Sequence, residues 1–229
     1  MRIGSQIISH LFALKMARTA KKKHSVKLPF FLLSLFTLAF SSCKKDQESQ
    51  PNPQVTTVLI SGKEYPTTTI GSQVWTITNY DGPGGLLYKS GSEKPEYGRY
   101  YTFDEARAVP IPSGWRLPTM QDYVTLAESQ GVVFADHRAT RQEAIKKLTS
   151  TTNWRTISGT NISGFNAHPA GYSFQNSAPL DGDISEFWVA DGNTFSIQEN
   201  ASGKAHSILF YTTNSPDYRF NLRFVKNAK

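Results

Sequence analysis

Residues 112–119, PSGWRLPT, leave the backbone little choice of path. Pro112, Ser113 and Gly114 supply turn chemistry. Trp115 and Leu117 then point to one face of a short extended segment and Arg116 to the other. Leu117 precedes a proline and is biased to extended geometry. Pro118 cannot continue a strand, and Thr119 stands where a helix N-cap belongs. Every position has a structural task, with Trp115 expected in the core and Arg116 beside a carboxylate. Nothing in the stretch activates a nucleophile, so Trp115, Arg116, Leu117, Pro118 and Thr119 read as scaffold.

Around this point the helix signals cluster. Met120, Tyr123, Val124 and Ala127 fall at i, i+3, i+4 and i+7, one face of a helix that Gly131 stops. Thr102 and Glu105 have the spacing of a capping box, and Thr140 and Glu143 repeat it ahead of Ala144, Ile145 and Leu148. The spacing therefore predicts two or three helices in the first half of the exported segment.

Strand signals surround them. VTTVLIS (55–61) and SQVWTIT (72–78) read as strands separated by turns at SGKEYP and IGS. At the C-terminus Phe220, Leu222 and Phe224 alternate with Asn221 and Arg223, the pattern of a half-buried strand. Helices segregated from strands indicate an α+β fold.

The first 54 residues read differently. LPFFLLSLFTLAF (28–40) is an apolar run too short to span a bilayer comfortably, it follows a cationic stretch, and SSC ends it. Residues 1–42 are expected to be a signal peptide, with Met16 as a second candidate start. The chain carries one cysteine, Cys43, which has no disulfide partner within the chain. It is expected to be acylated and to hold the protein to a membrane, because more than one attached acyl chain makes anchoring stable. Residues 43–54 are polar and rich in Gln, Pro and Ser, a tether rather than a fold. Residues 55–229 are expected to form one domain.

The formal charge of +7 belongs to the leader. All 18 acidic residues lie after Cys43, together with 18 of the 25 Lys and Arg, so the exported segment is neutral. A neutral domain lacks the basic stripe that phosphate binding needs, and nucleic acid is excluded as an expected partner.

IGSQVWTITN (70–79), GRYYTFDEARA (98–108), PSGWRLPT, LTSTTNW (148–154), GTNISGFNAHPAGY (159–172), FWVAD (187–191) and FNLRFVK (220–226) occur in an order that resembles the Fibrobacter succinogenes major paralogous domain. That family consists of exported, often lipid-anchored proteins of Bacteroidetes and Fibrobacteres. FSSC at 40–43 likewise resembles a bacterial lipobox. The resemblance implies an outer-membrane lipoprotein, acylated with palmitate-type chains and exposed on the cell surface, with a periplasm-facing orientation as the alternative. It also implies a C-type-lectin-like fold: two to three helices, a small twisted antiparallel sheet, paired N- and C-terminal strands and long loops. The family's paired cysteines are replaced here by Ile111 and Phe224, so packing must hold those segments.

Catalysis has little to stand on. The lectin-like scaffold is shared with formylglycine-generating enzymes, whose copper chemistry uses a cysteine pair that the exported segment lacks. His137, His168 and His206 have no metal-ligand spacing and read as scattered surface or turn residues. The glycine-rich run at 81–91 lacks the P-loop arrangement and reads as a flexible loop. No catalytic or metal-binding residue is assigned, and no cofactor is expected beyond a calcium ion, for which PLDGDISE (179–186) offers Asp181, Asp183 and Glu186, with Asp191 after Trp188. An acidic glycine turn explains those residues more simply.

What survives is binding by shape in the polar, aromatic-dotted region 172–200, with Tyr172, Asp181, Asp183, Asp191 and Asn193 as candidate ligand-binding residues. Trp188 is expected in the core. The expected function is a non-catalytic envelope module that recognises glycan or protein. A structural or adhesive component, fimbria-associated for example, is the alternative.

Overall fold

A computed structural model describes residues 56–89, 93–200, 202, 204–213 and 215–229. The leader, Cys43 and the tether lie outside the described residues. In chain order the strands are β1 (Thr56–Ile60), β2 (Lys63–Ile70), β3 (Gln73–Thr76), β4 (Leu86–Leu87) and β5 (Arg99–Tyr100). Helices α1 (Phe103–Arg107) and α2 (Met120–Glu128) follow, then β6 (Ala139–Gln142), β7 (Ser173–Phe174), β8 (Ile184–Trp188), β9 (Asn193–Glu199), β10 (His206–Thr212), β11 (Tyr218–Arg219) and β12 (Val225–Asn227).

Strand outweighs helix by 37% to 13%, and among the described residues only α2 exceeds six residues. The α+β, lectin-like expectation with two to three helices is therefore corrected: this is a mostly β protein built from several small antiparallel sheets. One sheet has the order β1-β2-β3-β12 and a second the order β6-β10-β9-β8, while β7 pairs with β11 and β4 with β5. The terminal strands share the first sheet but do not pair. β12 runs against β3, with Val225 opposite Trp75, and β1 lies at the other edge beside β2.

Local chemistry explains the differences. SGKEYP is not all turn. Ser61 and Gly62, at φ 51° and 81°, form a two-residue hairpin loop of the kind that requires positive φ twice, and Lys63 already opposes Ile60. The strand then runs on through Pro66, whose carbonyl accepts from Ile77 N–H at 3.0 Å.

The Thr140–Glu143 spacing does not cap a helix. Those residues lie in β6 and a following 3-10 turn, Glu143–Lys147, whose cap position carries no side-chain bond. Gln142 is drawn away by two bonds to the Val133 backbone at 2.6 and 2.8 Å, and it pairs with His206 across the sheet. Tertiary pairing has overridden a local helix signal.

The other two caps form. Thr102 with Glu105 and Thr119 with Asp122 both make reciprocal capping boxes at α1 and α2. The buried face of α2 is Asp122, Tyr123, Leu126 and Ala127; Met120 and Val124 are only partly covered. Tyr123 lies flat on Phe195, centroids 4.1 Å apart, and so docks the helix on the inner face of the second sheet.

PSGWRLPT connects both sheets. Arg116 bridges to Val225 through its backbone and pairs with Asp122 at 2.6 Å through its guanidinium, which also reaches Asn227 at 3.0 Å. Leu117 is buried, the Pro118 carbonyl accepts from Ala190 N–H at 2.8 Å, and Trp115 is half-buried beneath the Lys226 ammonium at 5.1 Å. Ile111 and Phe224 pack in the same apolar cluster. The glycine-rich run is also held: Tyr101 Oη donates to the Gly82 carbonyl and Arg99 to that of Gly84, at 2.8 and 2.9 Å.

The C-terminal segment departs furthest from expectation. Residues 220–225 are buried throughout, polar positions included, so this is not a half-exposed strand. Arg223 is fully buried, and among the described residues no carboxylate pairs with it. Its guanidinium donates to Asn79 Oδ1 at 2.7 Å, the Thr76 and Phe165 carbonyls at 2.9 Å, and the Asn166 carbonyl at 3.1 Å. The rings of Phe165 and Phe187 lie 4.9 and 5.5 Å from it. Burial pulls its pKa down to about 9, which leaves it charged at neutral pH.

Replacing Arg223 with Met removes the charge but strands four acceptors, three of them main-chain carbonyls. The expected loss is about 2–4 kcal/mol, since a buried acceptor left without its donor costs about 1–3 kcal/mol while the removed charge no longer has to be desolvated. Arg223→Lys should recover only part of it, because one ammonium cannot span the fork. Urea unfolding midpoints of the three proteins check this order.

Candidate functional site

The second sheet has two unlike faces. Phe187, Phe195, Ile197 and Ile208 turn inward to the main core. The register places Glu186 opposite Ser196, Trp188 opposite Thr194 and Ile184 opposite Gln198. The outer face therefore carries Glu186, Thr194, Ser196 and Gln198, with Tyr211 of β10 across from Thr194.

Two chain segments close over this face. The free edge of β8 is taken by Gly171, which bridges to Ser185, and by Asn221, which bridges to Phe187. The next residue after Gly171 is Tyr172, and the one before Asn221 is Phe220, so both rings are brought to the outer face and the β7–β11 ribbon follows. Only glycine fits at 171: φ is +67°, and a Cβ would lie 1.6 Å from the Leu180 carbonyl oxygen.

Between ribbon and sheet is a hollow of about 310 Å³, lined by Tyr172, Glu186, Gln198, Tyr211, Tyr218 and Phe220 among others. That is at the lower end of the roughly 300–1,000 Å³ of small-ligand pockets. Tyr218 stacks on Phe220 at 5.6 Å and 12°, and Tyr172 lies 5.9 and 6.0 Å from these two rings. Gln198 Nε2 donates to Ser196 Oγ at 2.9 Å and to Tyr211 Oη at 3.1 Å.

Glu186 is the unusual member. It is 7% exposed, and Thr194 Oγ1 donates to it at 2.8 Å. Among the described residues no cation stands within ion-pair distance of it. Burial raises its pKa to about 7, opposed only by the Thr194 bond. Sequence reasoning named Glu186 only as one of the carboxylates that 179–186 offers to calcium, and did not place it in the ligand-binding set. The available signal was alternation in ISEFW, which puts Glu186 on the same face as Trp188.

The candidate residues read from sequence are split among several places. Tyr172 lines the hollow. Asp191 and Asn193 line a neighbouring depression of about 420 Å³ with Phe103, Asp104 and Trp188; Thr212 and Thr213 border both. There Asp191 accepts from the backbone and side-chain nitrogens of Asn193, each at 3.0 Å, closing the β8–β9 turn.

Asp181 is bound elsewhere, to Lys94 at 2.5 Å and to the hydroxyls of Tyr88 and Tyr97 at 3.2 Å. Asp183 pairs with Arg155 at 2.8 Å. Of the carboxylates expected at a calcium ion, Asp181 and Asp183 are thus matched to cations, Asp191 to Asn193, and Glu186 only to Thr194. Among the described residues no group of three or more His, Cys, Asp or Glu is arranged to hold a metal.

Trp188 is buried, its Nε1 donating to the Tyr101 carbonyl at 2.7 Å. Two histidines expected at the surface are not there. His168 and His206 are buried, and desolvation holds each pKa down to about 4; His137 alone of the three is exposed. Region 172–200 is likewise less a loop than the three strands β7, β8 and β9 with their connections.

The family model of the Fibrobacter succinogenes major domain matches residues 68–226. The chain belongs to this family. Curated proteins yield no match to the chain, and solved structures yield none either. The Fibrobacter succinogenes major domain includes every residue of the hollow and the buried Arg223, while β1 and the start of β2 precede the matched span. Among its described residues no helix is long and apolar enough to cross a membrane.

The charge state of Glu186 has a measurable consequence. Its folded pKa, about 7, stands above the model carboxyl value of 4.5, so the folded state holds the proton more tightly. That stabilisation is complete below about pH 4.5 and is lost as pH rises through about 7, on the order of 3 kcal/mol in all. Glu186→Gln is therefore expected to raise the melting temperature at pH 8 and to leave it nearly unchanged at pH 4.5. Comparing the two proteins at each pH cancels the buried histidines, which act in the opposite sense below about pH 6.5.

Proposed function

We propose that the domain is a non-catalytic, exported binding module that recognises glycan through the hollow between the β7–β11 ribbon and the second sheet. The observation that carries this reading is the combination of Tyr172, Tyr218 and Phe220 with Gln198, Tyr211 and the buried Glu186 in one concave site. Aromatic faces stack on the apolar C–H surface of a sugar ring, while amide, hydroxyl and carboxyl groups read its hydroxyls. An extended peptide fits less well. Strand addition needs a free sheet edge, and the edge of β8 beside the hollow is taken by Gly171 and Asn221.

The anchoring half of the proposal rests on the sequence. Cys43 closes an apolar export leader and precedes a polar tether, which suits a lipoprotein of the outer membrane with its domain at the cell surface. Cys43→Ser is expected to abolish palmitate incorporation and to shift the protein from the membrane to the soluble fraction. Protease treatment of intact cells reports which way the domain faces.

Binding of the purified full-length protein to a glycan array tests the site. Tyr218→Ala is expected to weaken binding of any sugar it retains by about tenfold or more, the usual cost of truncating a central aromatic contact. A protein that binds no sugar and instead co-purifies with envelope proteins would favour a structural role.

A further inference from the structure

Resting on that reading of the hollow, we infer that its ligand carries a free amino group, as on a de-N-acetylated amino sugar, and that Glu186 is the residue that selects for it. A buried carboxylate is stable when paired and hydrogen-bonded. Other carboxylates near β8 with reduced exposure have cations: Asp181 with Lys94, Asp183 with Arg155, and Glu105 of α1 with Arg219, while Asp191 is exposed and needs none. Glu186 is more deeply buried than any of these partners' sites and has only the Thr194 hydroxyl.

The hollow supplies what an ammonium group needs and the protein leaves unfilled. Glu186 borders it as the sole acidic side chain of the lining, and Tyr172, Tyr211, Tyr218 and Phe220 surround the space in front of it. Aromatic faces attract a cation through the ring quadrupole, and desolvation strengthens the attraction. A carboxylate with aromatic neighbours therefore favours a cationic group over a neutral one of similar size. An N-acetyl group offers one neutral N–H and adds bulk against the rings, so it is the natural discriminated competitor. Within this lining the described residues include no Lys, Arg or His to compete for the carboxylate.

The test is titration calorimetry of the full-length protein with a glucosamine tetrasaccharide and its N-acetylated counterpart. The wild type is expected to bind the free amine about tenfold or more tightly, the worth of one hydrogen bond between charged groups. Glu186→Gln should reduce that preference to about twofold or less while still binding the acetylated sugar. Gln198→Ala serves as the second variant and should weaken both sugars without changing their ratio, and thermal melts confirm that each variant folds. Equal binding of the two sugars by the wild type, or a preference that survives Glu186→Gln, overturns the inference and leaves the glycan site standing. Binding of neither sugar, with none on the array, overturns the glycan reading and this inference together.

Discussion

Arg223 is the interaction on which the arrangement of this domain depends. One guanidinium joins the end of β3, the loop at 165–166 and Asn79, and two phenyl rings flank it. None of these segments is long enough to be stable by its own hydrogen-bond ladder, and several strands are only two residues long. A planar fork with fixed donor directions specifies where each carbonyl must lie. Apolar packing alone is less demanding about such positions. In a chain without a disulfide to fix the C-terminal segment, that directionality substitutes for a covalent tie.

The same segment carries the constraint outward to the site. Two residues before Arg223, Asn221 donates to the carbonyls of Tyr97 and Arg99 at 2.9 and 3.0 Å and exchanges backbone bonds with β8 on both sides of Phe187. One residue further, Phe220 enters the hollow, and Tyr218 stacks on it. The wall of the candidate site is thus the direct continuation of a buried, over-determined segment. Such a wall holds its rings in place before any ligand arrives, which lowers the ordering cost of binding.

Short-range signals were the legible part of the sequence. Thr102 and Thr119 cap the helices their spacing announces, and PSGWRLPT turns, extends and caps as its residues dictate. Long-range competition was not legible. Thr140 to Glu143 has the same spacing as a true cap, but pairing with β10 and the bonds from Gln142 to Val133 outbid it. The C-terminal alternation suggested a solvent face because Asn221 and Arg223 are polar. What buries them is a set of carbonyl acceptors from segments more than fifty residues away, which no local pattern records. For the candidate site, aromatic and acidic composition pointed to region 172–200, of which Tyr172 lines the hollow. It also grouped Asp181 and Asp183, which the fold separates by giving each its own cation.

That distribution of cations is what makes Glu186 informative. This sheet face could have carried a Gln or Thr at the position and avoided the desolvation of a carboxyl group. The neighbours show the economical solution, since Ser196 and Thr194 on the same face are buried as neutral hydroxyls. A carboxyl group raised to about 7 instead sits near the midpoint of its titration at neutral pH, poised to ionise when a positive charge comes close. A group with that property among four aromatic rings fits the proposed ligand better than it fits a need of the fold.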